Sequence, residues 1–99
     1  MQGIFISMEG PDGSGKSTQI SLLEKHLRDM GYEDIIITRE PGGTRISEAV
    51  REVILNKEYK EMGYMTEALL YASARAQLVS EVIAPALECG KAVVSDRFV

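Results

Sequence analysis

The 99-residue sequence predicts an α/β domain built on a parallel sheet. Two observations lead there. Short apolar runs alternate with longer amphipathic stretches in the order strand, helix, strand, helices, strand. Each strand also leads into a polar segment: Gly10 to Ser17, Arg39 to Thr44, and Asp96-Arg97. In parallel sheets ligands collect beyond the carboxyl ends of the strands, so these segments are expected to converge at one edge.

Ile4-Phe5-Ile6-Ser7-Met8 reads as a short buried strand. Gly10-Pro11-Asp12-Gly13-Ser14-Gly15-Lys16-Ser17 follows it and fits the phosphate-loop pattern of Gly, four free positions, Gly, Lys, then Ser or Thr. Such a pattern arises by accident in roughly a few of every thousand chains this long. The flanking strand and helix make accident rarer still. Glycines let the backbone turn tightly and approach an anion. The turn into a helix aims several N–H groups, and the positive end of the dipole, at one point. Lys16 is expected to reach the outer phosphates and Ser17 to hold Mg2+. The motif specifies nucleotide binding but not a reaction.

Thr18 to Met30 reads as an amphipathic helix with Ile20, Leu23, Leu27 and Met30 on one face, and Gly31 supplies its stop. Ile35-Ile36-Ile37-Thr38 is a continuous β-branched run, as in a parallel strand covered on both faces. Pro41-Gly42-Gly43 cannot continue it, so Arg39 to Thr44 is a loop. Residues near Ile46 to Asn56 look helical, with Ile46, Ala49, Val50, Val53 and Ile54 inward. Lys57 to Gly63 is a polar loop. A longer helix starts at Thr66, with Glu67 in its first turn, and Pro85 kinks or ends it. Gly90 stops it, and Ala92-Val93-Val94-Ser95 is the third strand.

The bulk composition narrows the function classes. Net charge is −4, which argues against general nucleic-acid binding. Cys89 is the single cysteine, so no intrachain disulfide is possible, and with no signal peptide a reducing cytoplasm is the expected home. No apolar run is long enough to span a membrane. His26, the single histidine, is expected on the surface.

At this point the sequence resembles the thymidylate kinase family. The matching stretches are Glu9 to Thr18, Thr38-Arg39-Glu40-Pro41-Gly42-Gly43-Thr44, Thr66 to Arg75, and Asp96-Arg97-Phe98, in the family's order and spacing. Arg-Glu-Pro-Gly-Gly is the most specific of them. The resemblance implies a three-layer P-loop NTPase core with three strands of the family's five, in the order second, third, first. Residues 1–99 are then the amino-terminal part of a single kinase domain, without the lid and later strands. It implies phosphoryl transfer from ATP to dTMP with Mg2+, in a cytoplasmic homodimer. It assigns ATP to Gly10, Pro11, Asp12, Gly13, Ser14, Gly15, Lys16, Ser17 and Thr18. It gives Ser17 and Asp96 to the metal, Asp96 through water, and Arg97 and Arg51 to the dTMP phosphate. Asp12 takes the 3′-hydroxyl, Tyr71 stacks on thymine, Arg75 meets the base edge, and Glu40 lies near the substrate phosphate and metal. Lys16, Asp12 and Arg97 form the catalytic set.

From pattern alone several of these residues have plainer readings. Tyr71 fits a core aromatic, Arg51 and Arg75 fit solvated helix arginines, Asp96 fits a strand end, and Asp12 fits a turn. Tyr71 and Phe98 exchange the family's commoner Phe and Tyr, and the new Tyr71 hydroxyl needs a partner. The loop has no basic residue among Pro11 to Ser14, and family members of that type bring an arginine from the lid.

Rival functions are another nucleotide kinase, a GTP switch, a partition-type ATPase, or a truncated non-catalytic nucleotide-binding fragment. A switch needs an Asp-x-x-Gly after the loop, and none follows Ser17; a partition ATPase needs a lysine where Pro11 stands.

Overall fold

The structure is a computed structural model that describes residues 2–9 and 15–97, with the Arg97 side chain outside the described set. The chain order is β1 (Ile4–Met8), α1 (Lys16–Asp29), β2 (Ile35–Glu40), α2 (Arg45–Leu55), α3 (Tyr64–Leu78), a π-helical turn (Val79–Ile83), α4 (Ala84–Glu88) and β3 (Ala92–Arg97). The three strands are parallel, in the order β1-β3-β2. This is the sheet order expected from the sequence.

Register partners in a parallel sheet share a face, which defines two layers. On one face α1 packs Ile20 and Leu27 against Ala92 and Val94, flanked by Ile4, Ile6, Met8 and Ile35. On the other, Val93 meets Leu78, Ile83 and Ala86 from the π turn and its neighbouring helices. Central β3 is fully buried from Ala92 to Ser95 because helices cover both of its faces.

β2 departs from the expectation. It is an edge strand: Ile35 packs against the core on the α1 side, while Ile37 remains 46% exposed. Glu40 rather than Thr38 ends the strand, and Arg97 rather than Ser95 ends β3. α1 starts at Lys16 and stops at Asp29, which leaves Met30 outside the stripe and exposed. Gly31, at φ 109°, lets the chain turn back. The Tyr32 hydroxyl donates to the Gln2 carbonyl at 2.8 Å and ties this turn to the approach to β1.

α2 carries the clearest correction. Ile46, Ala49 and Val53 are exposed, and Val50 and Ile54 are only half-buried. The inward positions 47, 50, 51 and 54 follow helical spacing but centre on Ser47, which is fully buried. A count of apolar residues cannot find that face. The Thr44 hydroxyl donates to Ser47 Oγ at 2.9 Å, and Ser47 Oγ donates to the Ala74 carbonyl at 2.7 Å. Thr44 also caps α2 by accepting from the Ser47 N–H at 3.0 Å.

α3 begins at Tyr64, two positions before the expected Thr66. Pro85 does not simply end the helix. It has no N–H to give back to residue 81, and the preceding turn widens so that the Ala84 N–H reaches the Val79 carbonyl. A short α4 then runs to Glu88.

Candidate functional site

The helix start that carries the phosphate motif sits beside the end of β3. Gly15 is the N-cap of α1 at φ 81°, a left-handed conformation that suits glycine. Lys16 follows, is 5% exposed, and places Nζ 2.6 Å from Asp96 Oδ1. Asp96 is in register with Met8 and Arg39, so β3 brings a carboxylate between the ends of β1 and β2. Ser17 and Thr18 stand exposed in the first turn. Gly10, Pro11, Asp12, Gly13 and Ser14 lie outside the described residues, as do Phe98 and the Arg97 side chain.

Ser17 carries a hydroxyl and Asp96 a carboxylate, oxygen donors of the type that suits a hard cation such as Mg2+. Among the described residues no three His, Cys, Asp or Glu side chains group as a metal site. A cation here would therefore draw on phosphate and water oxygens, the usual habit of magnesium.

A cleft of about 530 Å³ opens beside the end of β2, lined by Glu40, Pro41, Ala68, Tyr71, Ala72, Arg75 and Ala76. Tyr71 and Arg75 are one helical turn apart and face it together. Tyr71 is 41% exposed, so it is a cleft residue rather than a core aromatic. The small side chains of Ala68, Ala72 and Ala76 leave the space open. Glu40 is buried. It accepts from Arg75 Nε at 2.8 Å and Nη2 at 2.7 Å, a two-point contact that matches the planar guanidinium. That bonding raises the Arg75 pKa above its ordinary value.

The structure thus brings together Glu40, Tyr71 and Arg75 at one cleft, and Lys16 and Asp96 at one ion pair. Arg51 lies half-buried on the inner face of α2 and is not among the residues lining the cleft.

Sequence reasoning missed Glu48, in the first turn of α2. Its Oε1 accepts from the Gly43 N–H at 3.2 Å and lies 3.4 Å from Arg39 Nη2. The Gly43 N–H, then Arg39 and Arg51, hold its pKa below the ordinary 4.5 against the opposing effect of burial. The available signal was a carboxylate in a helix's first turn just after Pro-Gly-Gly. The turn itself needs its glycines. Gly42 and Gly43 have φ 136° and 93°, and a Cβ on Gly43 would overlap Thr38 Oγ1 and come within 2.9 Å of Leu78 Cδ1.

A sequence profile of the family described as thymidylate kinase matches residues 8–99. A thymidylate kinase of Geobacillus thermodenitrificans is 59% identical over 99 residues, covering 100% of this chain and 44% of its own length. One from Exiguobacterium sibiricum is 58% identical over 99 residues, covering 100% and 46%. The chain therefore spans less than half the length of these relatives. The crystal structure of thymidylate kinase from Ehrlichia chaffeensis superposes with a TM-score of 0.80 at 36% identity, covering 99% of this chain and 55% of that one.

Proposed function

The chain belongs to the thymidylate kinase family, and from that premise we propose that the protein transfers the γ-phosphoryl group of ATP to dTMP, giving dTDP and ADP. One observation supports this reading above the others. The Tyr71–Arg75–Glu40 cleft and the Lys16–Asp96 pair open at the same carboxyl edge of the sheet, as a two-substrate transfer needs.

Phosphoryl transfer demands positioning and charge neutralisation more than covalent chemistry. In this reading residues 10–18 cradle the ATP phosphates, and the Lys16 ammonium neutralises the transferring group. Asp96 holds that ammonium at the strand end before any nucleotide arrives. Tyr71 offers a ring face to thymine, and Arg75, fixed by Glu40, presents N–H donors to the base edge. Arg51 and Arg97 serve the dTMP phosphate, and Asp12 the 3′-hydroxyl. Ser17 and Asp96 would hold Mg2+, which when bound would neutralise phosphate oxygens. The attacking group is itself an anionic phosphate oxygen, so no general base is required.

A homodimer in the cytoplasm, with no nucleic-acid partner, completes the proposal. The exposed apolar side chains of Ile46 and Val53 on α2 and of Tyr64, Met65 and Leu69 on α3 support the dimer. Among the described residues no helix is long and apolar enough to cross a membrane.

The test is a coupled assay on a panel of nucleoside monophosphates. A site that satisfies the polar groups of thymine rejects bases that leave them unpaired. The full-length protein should strongly prefer dTMP to dCMP and to purine monophosphates, and Arg75→Ala should erode that preference more than it weakens ATP binding. Equal rates on dTMP and dAMP would assign the protein to a different substrate.

A further inference from the structure

We propose that Glu48 is a positioning residue for the monophosphate cleft: it holds the Pro41–Gly43 turn against the end of β2 and so fixes the wall made by Glu40 and Pro41. The nucleotide that fills the cleft is taken from the function proposed above.

The carboxylate touches the chain on both sides of that wall. Before it stands Arg39, with Nη2 at 3.4 and 3.5 Å from the two carboxylate oxygens. After it stands Gly43, whose N–H donates to Oε1 at 3.2 Å. Gly42 packs so closely that a Cβ there would lie 2.7 Å from Oε1. Glu40 and Pro41, the residues between, line the cleft. The amino-terminal turn of α2 favours an anion at position 48 through its dipole.

A second tie runs from the same turn to the opposite wall. Thr44 and Ser47 reach the Ala74 carbonyl, one residue before Arg75. Glu48 and this relay together set the spacing between the Glu40 and Arg75 sides of the cleft.

The two contacts of Glu48 differ in weight. The Arg39 pair is long and 41% exposed on both sides, and exposed pairs of that kind contribute little. The Gly43 N–H bond is the shorter and dominates. A neutral acceptor at position 48 should therefore keep most of the effect.

The experiment compares unmodified full-length protein with Glu48→Ala and Glu48→Gln. It measures kcat, KM for dTMP, KM for ATP, and hydrogen exchange of the Gly43 amide without nucleotide. Glu48→Ala should raise the dTMP KM about tenfold, the size expected for one charge-assisted hydrogen bond. The ATP KM should stay within about twofold, and Gly43 should lose protection. Glu48→Gln should recover most of both losses. A merely structural role would lower the active fraction and leave both KM values unchanged, and that result would overturn the proposal. Unchanged Gly43 protection in Glu48→Ala would overturn it as well. If unmodified protein phosphorylates no dTMP, the reaction reading fails, and Glu48 stands or falls on the exchange measurement.

Discussion

Arg75 grips Glu40 at two points across 35 residues of sequence, with Nε on Oε1 at 2.8 Å and Nη2 on Oε2 at 2.7 Å. The pair joins the last residue of β2 to the last turn of α3 and forms one side of the cleft. It is asymmetric: the Glu40 side chain is 11% exposed and that of Arg75 is 47% exposed.

The asymmetry sets the cost of breaking it. Removing one partner of a buried pair costs roughly 3–5 kcal/mol, and exposed pairs contribute at most about 1. Arg75→Ala removes this two-point contact from a buried carboxylate beside a half-open cleft, so a loss of about 2 kcal/mol is expected. Arg75→Lys should recover little, since an ammonium cannot make the two-point contact. Urea unfolding midpoints check this. Equal midpoints for Arg75→Ala and the unmodified protein would show that Glu40 is satisfied without Arg75.

Lys16→Ala should lower phosphoryl transfer at saturating ATP and Mg2+ by about a hundredfold or more, the scale of losing a charge-stabilising donor at a reaction centre. The Lys16–Asp96 pair adds a stability effect, because the variant leaves Asp96 without its ammonium at 2.6 Å. Lys16→Ala/Asp96→Ala should therefore regain stability over Lys16→Ala while staying inactive. Near-normal turnover by Lys16→Ala would exclude this loop as the ATP site.

Glu48 gives a pH signature. Its folded pKa lies below the ordinary 4.5, chiefly because of the Gly43 N–H. In that window the unfolded chain binds more protons than the folded one, so stability rises with pH. The contribution of Glu48 is fully present above the ordinary carboxylate range and is lost as pH falls through the folded value. Glu48→Gln should thus destabilise at pH 7 and progressively less below pH 4.5. Paired denaturation curves across that range test the sign. A deficit that grows toward low pH would contradict it.

The β1 edge supplies the last prediction. Among the described residues β1 pairs only with β3, and Phe5 is 43% exposed. An open, apolar strand edge is a template for pairing. The 99-residue chain should self-associate in sedimentation, and Phe5→Lys should shift it toward monomer. Monomers across a dilution series of the unmodified chain would show that the edge is inert.

Much of the fold could be read from local pattern. β1 runs over the apolar residues Ile4–Met8 that predict it, and Gly31 and Gly90, at φ 109° and 76°, sit where the chain turns out of a helix. These features follow from backbone sterics and side-chain periodicity, which neighbouring residues carry by themselves. The family could be read too, because its loops are short contiguous motifs. Tertiary packing decided which helix faces are buried. α2 leaves the apolar residues Ile46, Ala49 and Val53 exposed, and its inward face is the one centred on Ser47, whose hydroxyl meets the Ala74 carbonyl. It also decided the partners of the site residues. Nothing local to Lys16 or Glu40 specifies Asp96 or Arg75 as its contact. An ion pair or hydrogen bond acts over a few ångströms of space, and which residues come that close is set by the stacking of sheet and helices, not by their spacing along the chain.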